Sequence, residues 1–552
     1  MRTVQAVLTY LSSGGVQYLF GIPAGSVNAF FDELNDFPEI QSIVAKHETA
    51  ASYMASAYAK ETGRIAVCIG ASGPGATNFI TGAANAMREH LPVLFITGNV
   101  PVQTIGLNAS QELDAEPLFR PVTKYSVTVK DPNRVLSEIS HAVEVALSDI
   151  PGPVHVAVPI DVQLTDIGVP ELPPFPTKVP VFPDVASVKQ AAQQLAHIQH
   201  GVLFVGQGAR GAIDEVLEAS KLLGWPIVTT PQAKGFIPTS TPLASGVFGF
   251  AGHVLAGNVV SQTDVQAILI IGSSLGETAT SNYNRSITQN RFSVQIDIDP
   301  SVFGRLYEID LSICGDATVT LQMMIREWRK LGVSVKSESL IASNPELLNS
   351  EEFSTRPDEF NTRNILQQLQ TYLPNNTRYT VDIGEFMSYV IHYMQVFNRK
   401  SFEINVHFGP MGVAIGSALG LKLADSNSPV VCITGDGCFF MHGLEILTAK
   451  EHHLPILFVV FNNARLGMVY HGHMLQYGRS HQSFEQTAVN LAQMGLAMGI
   501  PTLRVENIQD LTLISLQNLL QEEGPALLEI ALVDNNIPPM GDRVKFLSSF
   551  GS

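Results

Sequence analysis

The sequence predicts an α/β protein of three domains, each a parallel sheet flanked by helices, and three observations carry that prediction. Short apolar runs ending in small or polar residues recur along the chain, longer helical patterns alternate with them, and two segments interrupt the alternation. Runs that are apolar at nearly every position, not at every second one, are the mark of parallel strands covered on both faces. The interruptions are a Pro-rich stretch, 164–184, and a Ser, Glu and Asn-rich stretch at about 335–360. They place domains at 1–163, 185–330 and 361–552, with linkers at 164–184 and 331–360. At roughly 100–200 residues per domain, a chain of 552 residues calls for about three cores.

In order, the first domain offers the strand-like "IQSIVAK", then "IAVCIGASGPG", "PVLFITGN" and "GPVHVAVPIDV". The second offers "GVLFVGQGAR", "AILIIGSS" and "FSVQIDIDP", and the third "PVVCITGDG", "PILFVVFNN" and "ALLEIALVD". There is no short-period repeat, although the outer thirds share a rhythm of strands and loops.

Composition excludes several functions. A net charge of −17 without any basic run argues against nucleic acid. The opening "MRTVQAVLTYLSSGG" is too amphipathic for a secretory signal, and no stretch approaches the roughly 18 apolar residues of a membrane span, so a cytoplasmic protein is expected. Cys68, Cys314, Cys432 and Cys438 form no C-x-x-C pair and stand beside no metal-spaced histidines; they read as reduced structural thiols.

The richest stretch is "VVCITGDGCFF", where Asp436 follows an apolar run between Gly435 and Gly437. A helix-like segment and a second strand then lead to Asn462 and Asn463, and a helix with a return strand brings both loop ends to one edge of a sheet. A carboxylate, an amide oxygen and a loop carbonyl make a hard oxygen set suited to Mg²⁺ that shares a diphosphate. The glycines leave room for backbone to approach it.

These residues resemble the thiamin diphosphate motif, and similarity to acetolactate synthases and related acyloin-forming carboligases extends over nearly the whole chain. "FGIPAGSVNAFFDEL", "SGPGATNFITGAANAM", "QELDAEPLFRPVTKYS", "GPVHVAVPIDVQ", "QIDIDP" and "LGMVY" are its other stations. The resemblance implies that the first domain binds the cofactor's pyrimidine and the third its diphosphate. It implies that Asp436, the Asn463 side chain and the Arg465 carbonyl hold Mg²⁺, and that Gly25, Gly73, Gly435, Gly437, Gly467 and Met468 line the cofactor. Met411 would be the apolar wedge beneath it, with the Gly409 carbonyl holding its amino group. Glu48, opening an Ala-rich helix, matches the family's catalytic Glu, which promotes cofactor activation through the pyrimidine. "GASGPGATN" lacks the P-loop lysine and the G-x-G-x-x-G spacing, so it reads as a glycine turn at that site.

Gln111 matches a synthase active-site glutamine. Simple decarboxylases of the family carry paired histidines near that point and a Glu where Val469 stands; lacking these acids, the chain favours capture by a second carbonyl. The tandem His452 and His453 read as a surface turn. Ser110, Ile160 and Gly472 stand where the synthase pattern has Phe, Lys and Trp, and the loss of two rings predicts bulkier or aromatic substrates. His407 is a candidate proton donor, while His471 and His473 are placed on a loop that could close over the site. In the central domain Ser273 and Ser274 replace an expected Arg-containing segment, which makes FAD doubtful.

The resemblance thus implies a decarboxylating carboligase joining 2-oxo acids, needing thiamin diphosphate and Mg²⁺. A 2-oxo acid decarboxylase and a C–C lyase or hydrolase with the same cofactor are the alternatives. A non-enzymatic protein on this scaffold would have no need of Glu48 and Asp436 together. A homodimer or homotetramer with sites at subunit interfaces is expected.

Overall fold

A computed structural model describes residues 1–335, 358–521, 523–540, 543, 544 and 548. Most of the segment expected to link the second and third domains, 336–357, lies outside the described residues.

The strands form three six-stranded sheets, parallel at every strand pairing. The first contains β1 (Tyr18–Gly21), β2 (Gln41–Val44), β3 (Ala66–Gly70), β4 (Val93–Asn99), β5 (Tyr125–Thr128) and β6 (Val154–Pro159), in the order β2-β1-β3-β4-β6-β5. The second contains β7 (Gly201–Val205), β8 (Ile227–Thr229), β9 (Ala244–Val247), β10 (Ala267–Ile271), β11 (Phe292–Asp297) and β12 (Leu311–Cys314), ordered β12-β11-β10-β7-β8-β9. The third contains β13 (Arg378–Val381), β14 (Phe402–Ile404), β15 (Val430–Gly435), β16 (Ile456–Asn462), β17 (Thr502–Val505) and β18 (Ala526–Ala531), ordered β14-β13-β15-β16-β18-β17. The outer sheets therefore wind identically, which gives the similar rhythm of the outer thirds a structural form.

Strands such as β3, β4, β7, β10 and β15 are buried at every position, as apolar runs covered by helices on both faces must be. The helix Glu48–Thr62 is Ala-rich, ends on Gly63 at φ 68°, and lies between the helices Pro74–Arg88 and Val413–Ala424. Its approach to the third domain depends on glycine. A Cβ on Gly420 would stand 2.0 Å from the Met54 carbonyl oxygen, and one on Gly416 would stand 2.7 Å from Tyr53 Cβ. His47 caps this helix by accepting the Thr49 amide at 3.1 Å, and the His47 and Lys46 amides donate to Glu445 Oε1 at 3.0 and 2.9 Å, which ties the helix start to the third domain.

The linker at 164–184 is packed down: the Phe175 ring lies 5.0 Å from that of Tyr10, and the Asp316 amide donates to the Val181 carbonyl at 2.7 Å. Where the three domains meet, Glu61 and Glu403 share Arg210 and Arg378, at 2.6 Å for both Arg210 contacts, and Lys60 bridges Glu403 and Glu89. Burial pushes the Glu403 carboxyl up, but Arg210, Lys60 and Arg378 outweigh it and hold the group at about 2. Among the described residues no helix is long and apolar enough to cross a membrane.

Candidate active site

The third sheet places the expected metal-binding residues together. Strands β15 and β16 are parallel neighbours with Gly435 opposite Phe461, so Asp436 and Asn463 leave the sheet side by side at its carboxyl edge. The intervening chain forms two helices, Asp436–His442 and Glu445–Glu451, where a single helical segment was expected. Asp436 is 3% exposed, and its two oxygens are tied to both loops: Gly437 N–H donates to Oδ1 and Ala464 N–H to Oδ2, each at 2.7 Å. Burial pushes its carboxyl up to about 6 against these two amides, and nearby Glu385 adds to the rise. A buried carboxylate raised by lost solvation is one that a cation would relieve.

These loops border a cleft of about 740 Å³, walled by Met411, Leu466, Met468, Val469, Phe386 and Phe461 and floored by glycines 409, 435, 437 and 467. Cβ atoms would fill the floor: at Gly437 one would lie 3.2 Å from Met411 Cε, at Gly435 2.9 Å from Phe386, and at Gly467 2.1 Å from Glu385 Oε2. Gly409 and Gly412, at φ 63° and 84°, turn the chain around Met411. The Gly412 amide donates to buried Asp382 at 2.9 Å; burial pushes that carboxyl to about 7, with Thr434 and the Gly412 amide opposing. The oxygen donors of Asp436 and Asn463, the apolar Met411 wedge and the side-chain-free floor fit a metal-bound diphosphate that carries a flat heterocycle. The Arg465 carbonyl accepts the Gly467 amide at 3.0 Å and keeps a second lone pair, while its guanidinium turns away to the Asp534 carbonyl at 2.5 Å and stacks on Tyr470.

The other expected residues lie elsewhere. Glu48 is buried at the start of its helix, where Asn78 Nδ2 donates to Oε2 at 2.9 Å, and it is not among the residues lining the cleft. Gly73, at φ 63°, opens the next helix, and a Cβ there would lie 2.9 Å from the Gln111 carbonyl oxygen. Ser72 Oγ donates to that same carbonyl at 2.7 Å, so Glu48, Gly73 and Gln111 gather at the carboxyl edge of the first sheet. Gly25 begins a short 3-10 turn after β1, with open space where a Cβ would point. The expected residues thus stand in two groups, one at the carboxyl edge of each outer sheet.

His407 does not line the cleft with Met411. Its ring lies 3.7 Å from buried Glu89 at the domain junction, and burial lowers its pKa against the pull of that carboxylate. The segment expected as a loop bearing His471 and His473 is the helix Gly467–Tyr477. On it His471 is only 4% exposed, with Nε2 3.2 Å from Glu385 Oε2, whereas His473 faces Tyr477 and Phe484. His452 ends a helix and contacts Gln41.

Glu385 escaped sequence reasoning. It opens the helix Glu385–Tyr393, lines the cleft, and accepts Asn463 Nδ2 at 2.6 Å. The only signal available was an acidic residue four positions after the strand-like run, in "VDIGEF", which by itself reads as a partner for the helix dipole.

Comparison with known proteins agrees with this geometry. Residues 1–118 match the N-terminal TPP binding domain of thiamine pyrophosphate enzymes, 188–324 the central domain and 382–530 the C-terminal TPP binding domain. The chain is 31% identical to a probable acetolactate synthase large subunit of Methanococcus aeolicus, over 96% of this chain and 92% of that protein. It is 30% identical to the acetolactate synthase isozyme 2 large subunit of Escherichia coli K12, over 98% and 97% respectively. A solved structure described as a putative thiamin diphosphate-dependent enzyme from Mycobacterium smegmatis shares the fold at a TM-score of 0.82 and 20% identity, over 97% of this chain and all of that one. With the matching domains, the shared length and the site built on the third sheet, the chain belongs to the thiamine pyrophosphate enzymes, as a member of the acetolactate synthase type.

Proposed function

We propose that the protein is a decarboxylating carboligase that joins two 2-oxo acids, using thiamin diphosphate and Mg²⁺ held on the third domain. The observation that carries this reading is the convergence of Asp436, Asn463 and Met411 on one apolar cleft. Asp436 and Asn463 would bind the metal that anchors the diphosphate, and Met411 would support the heterocycle. When bound, the cofactor would supply an electron sink for the bonding pair left on the 2-oxo carbon as the carboxylate departs as CO₂.

The protein's own residues orient and exclude. Val469, Met468 and Leu466 form an apolar wall, and among the described residues lining the cleft there is no histidine that could deliver a proton. That wall supports capture of a second carbonyl compound over simple release of aldehyde. Glu48 and Gln111, on the first sheet's edge, would complete the cleft from another subunit. A two-fold assembly would supply that meeting, with Glu48 holding the proton that activates the cofactor's pyrimidine and Gln111 facing the acceptor.

Gly472 supports a wide acceptor space. A Cβ there would meet only Met540 Cε, at 3.7 Å, so the side chain absent from this position leaves room between the Gly467–Tyr477 helix and the Met540 segment. FAD is not part of the reading. In the central domain the Gly208 amide is spent on the Gly272 carbonyl at 2.9 Å, and Ser273 and Ser274 follow β10 where an Arg-containing segment was expected, the pocket beside Ser274 drawing its arginines, Arg88 and Arg305, from elsewhere.

The test is mass-spectrometric product analysis after incubation with Mg²⁺, thiamin diphosphate and either pyruvate alone or paired 2-oxo acids. Coupled hydroxyketone or hydroxy-oxo acid products with CO₂ are expected. Aldehyde alone, or C–C cleavage without CO₂, would reassign the enzyme.

A further inference from the structure

We propose that Glu385 is a positioning residue for the metal: it turns the Asn463 side-chain amide so that the oxygen, not the nitrogen, stands beside Asp436. This inference rests on the cofactor reading given above and assigns a role to a residue outside the expected metal-binding set.

An asparagine amide has two ends of nearly equal size and opposite hydrogen-bonding sense, so a metal site built on one must fix which end points inward. Here both ends are constrained. Nδ2 donates to Glu385 Oε1 at 2.6 Å, and Oδ1 accepts the Arg465 amide at 3.1 Å. The preceding amide, Ala464 N–H, donates to Asp436 Oδ2 at 2.7 Å. Successive backbone N–H groups thus set the Asn463 and Asp436 oxygens next to each other. The reversed amide would put oxygen against the Glu385 oxygen and an NH₂ group against the Arg465 N–H, two like-with-like contacts. The backbone constraint is available to any asparagine at that place in the loop, whereas the side-chain constraint depends on residue 385.

The side chain fits there because of two neighbours. A Cβ on Gly467 would fall 2.1 Å from Oε2, and His471 Nε2 lies 3.2 Å from that oxygen. Oε2 has no hydrogen-bond partner among the described residues. Oε1 alone therefore does the holding, and any side chain with an acceptor at that point can replace it.

The probe is Mn²⁺ with thiamin diphosphate, followed as free Mn²⁺ by electron paramagnetic resonance on the full chain. Glu385→Gln keeps an acceptor for Nδ2 and is expected to bind Mn²⁺ within about threefold of the wild type, while Glu385→Ala is expected to lose about tenfold or more, the usual range for outer ligand-orienting residues. Adding Asn463→Asp to Glu385→Ala removes the amide that needs orienting, so affinity should recover. Glu385→Leu, of similar bulk, replaces the alanine variant if that one unfolds on heating far below the wild type. Wild-type affinity in Glu385→Ala, equal loss in Glu385→Gln, or no recovery in the double variant overturns the role while leaving the cofactor reading intact. A wild-type chain that binds no Mn²⁺ with thiamin diphosphate overturns both.

Discussion

The Ala464 amide reaches back 28 residues to Asp436 Oδ2, 2.7 Å away, so the carboxylate at the end of β15 and the asparagine loop at the end of β16 are one unit. Removing the carboxylate from that unit takes away both the proposed metal ligand and the anchor of the second loop. Asp436→Ala should abolish measurable binding of Mg²⁺ and thiamin diphosphate in calorimetric titration, a loss of at least about 100-fold, while the circular dichroism of the apoprotein stays that of the wild type.

Gly467→Ala tests the floor of the cleft. Its methyl group would meet Glu385 Oε2 at 2.1 Å and Asn463 Nδ2 at 2.9 Å, so both side chains must move. Cofactor affinity should fall about tenfold or more, with a smaller effect on the thermal midpoint, because Gly467 stands at the cleft and not in a sheet.

Gly472→Trp should narrow the acceptor space. Pairing experiments with a small and a large 2-oxo acid are expected to shift toward the small one by roughly 10–200-fold in kcat/KM, the range for one or a few methylene equivalents. An unchanged ratio would remove Gly472 from substrate choice.

Glu48→Gln and Asp436→Ala together test whether the proposed site is shared between subunits. Each variant alone should be inactive, and mixed subunits should recover about a quarter of wild-type activity, since half of random dimers are mixed and each has one intact site. Activity that stays absent after verified subunit exchange would place both residues of one site within one chain.

Lys234 is 3% exposed and donates to the Met394 carbonyl at 2.6 Å, with the Phe402 ring beside it and no carboxylate paired with it among the described residues. Burial drives its pKa down to about 7. Between pH 7 and the unfolded value of about 10.4 the unfolded chain holds more protons, so wild-type stability rises with pH through that window and the penalty is complete below pH 7. Lys234→Met should raise stability by about 2 kcal/mol at pH 7, with the gain shrinking toward pH 10 in denaturant melts.

Which features were legible follows from length and locality. The nine apolar runs first picked out correspond to the strands of five to seven residues, β3, β4, β6, β7, β10, β11, β15, β16 and β18, which sit adjacent in each sheet. The remaining strands have three or four residues, too few for a run to stand out from a helix face or a turn; of these only β2 was noticed, as "IQSIVAK". Asp436 and Asn463 were readable because each directly follows a long strand. Glu385 was not, since its importance arises from an approach to Asn463 across 78 residues of chain. The surroundings of His407 and His471 were illegible for the same reason: four residues from Met411 the chain already points to Glu89, and a helix carries His471 inward.

The shared winding of the outer sheets extends to the way they mate. The helices that follow β2 and β14, Glu48–Thr62 and Val413–Ala424, occupy equivalent places and pack on each other through Gly416 and Gly420. Two modules of the same winding are thus mated by equivalent helices, and each presents a buried acid just beyond its strands, Asp436 on the third sheet and Glu48 on the first.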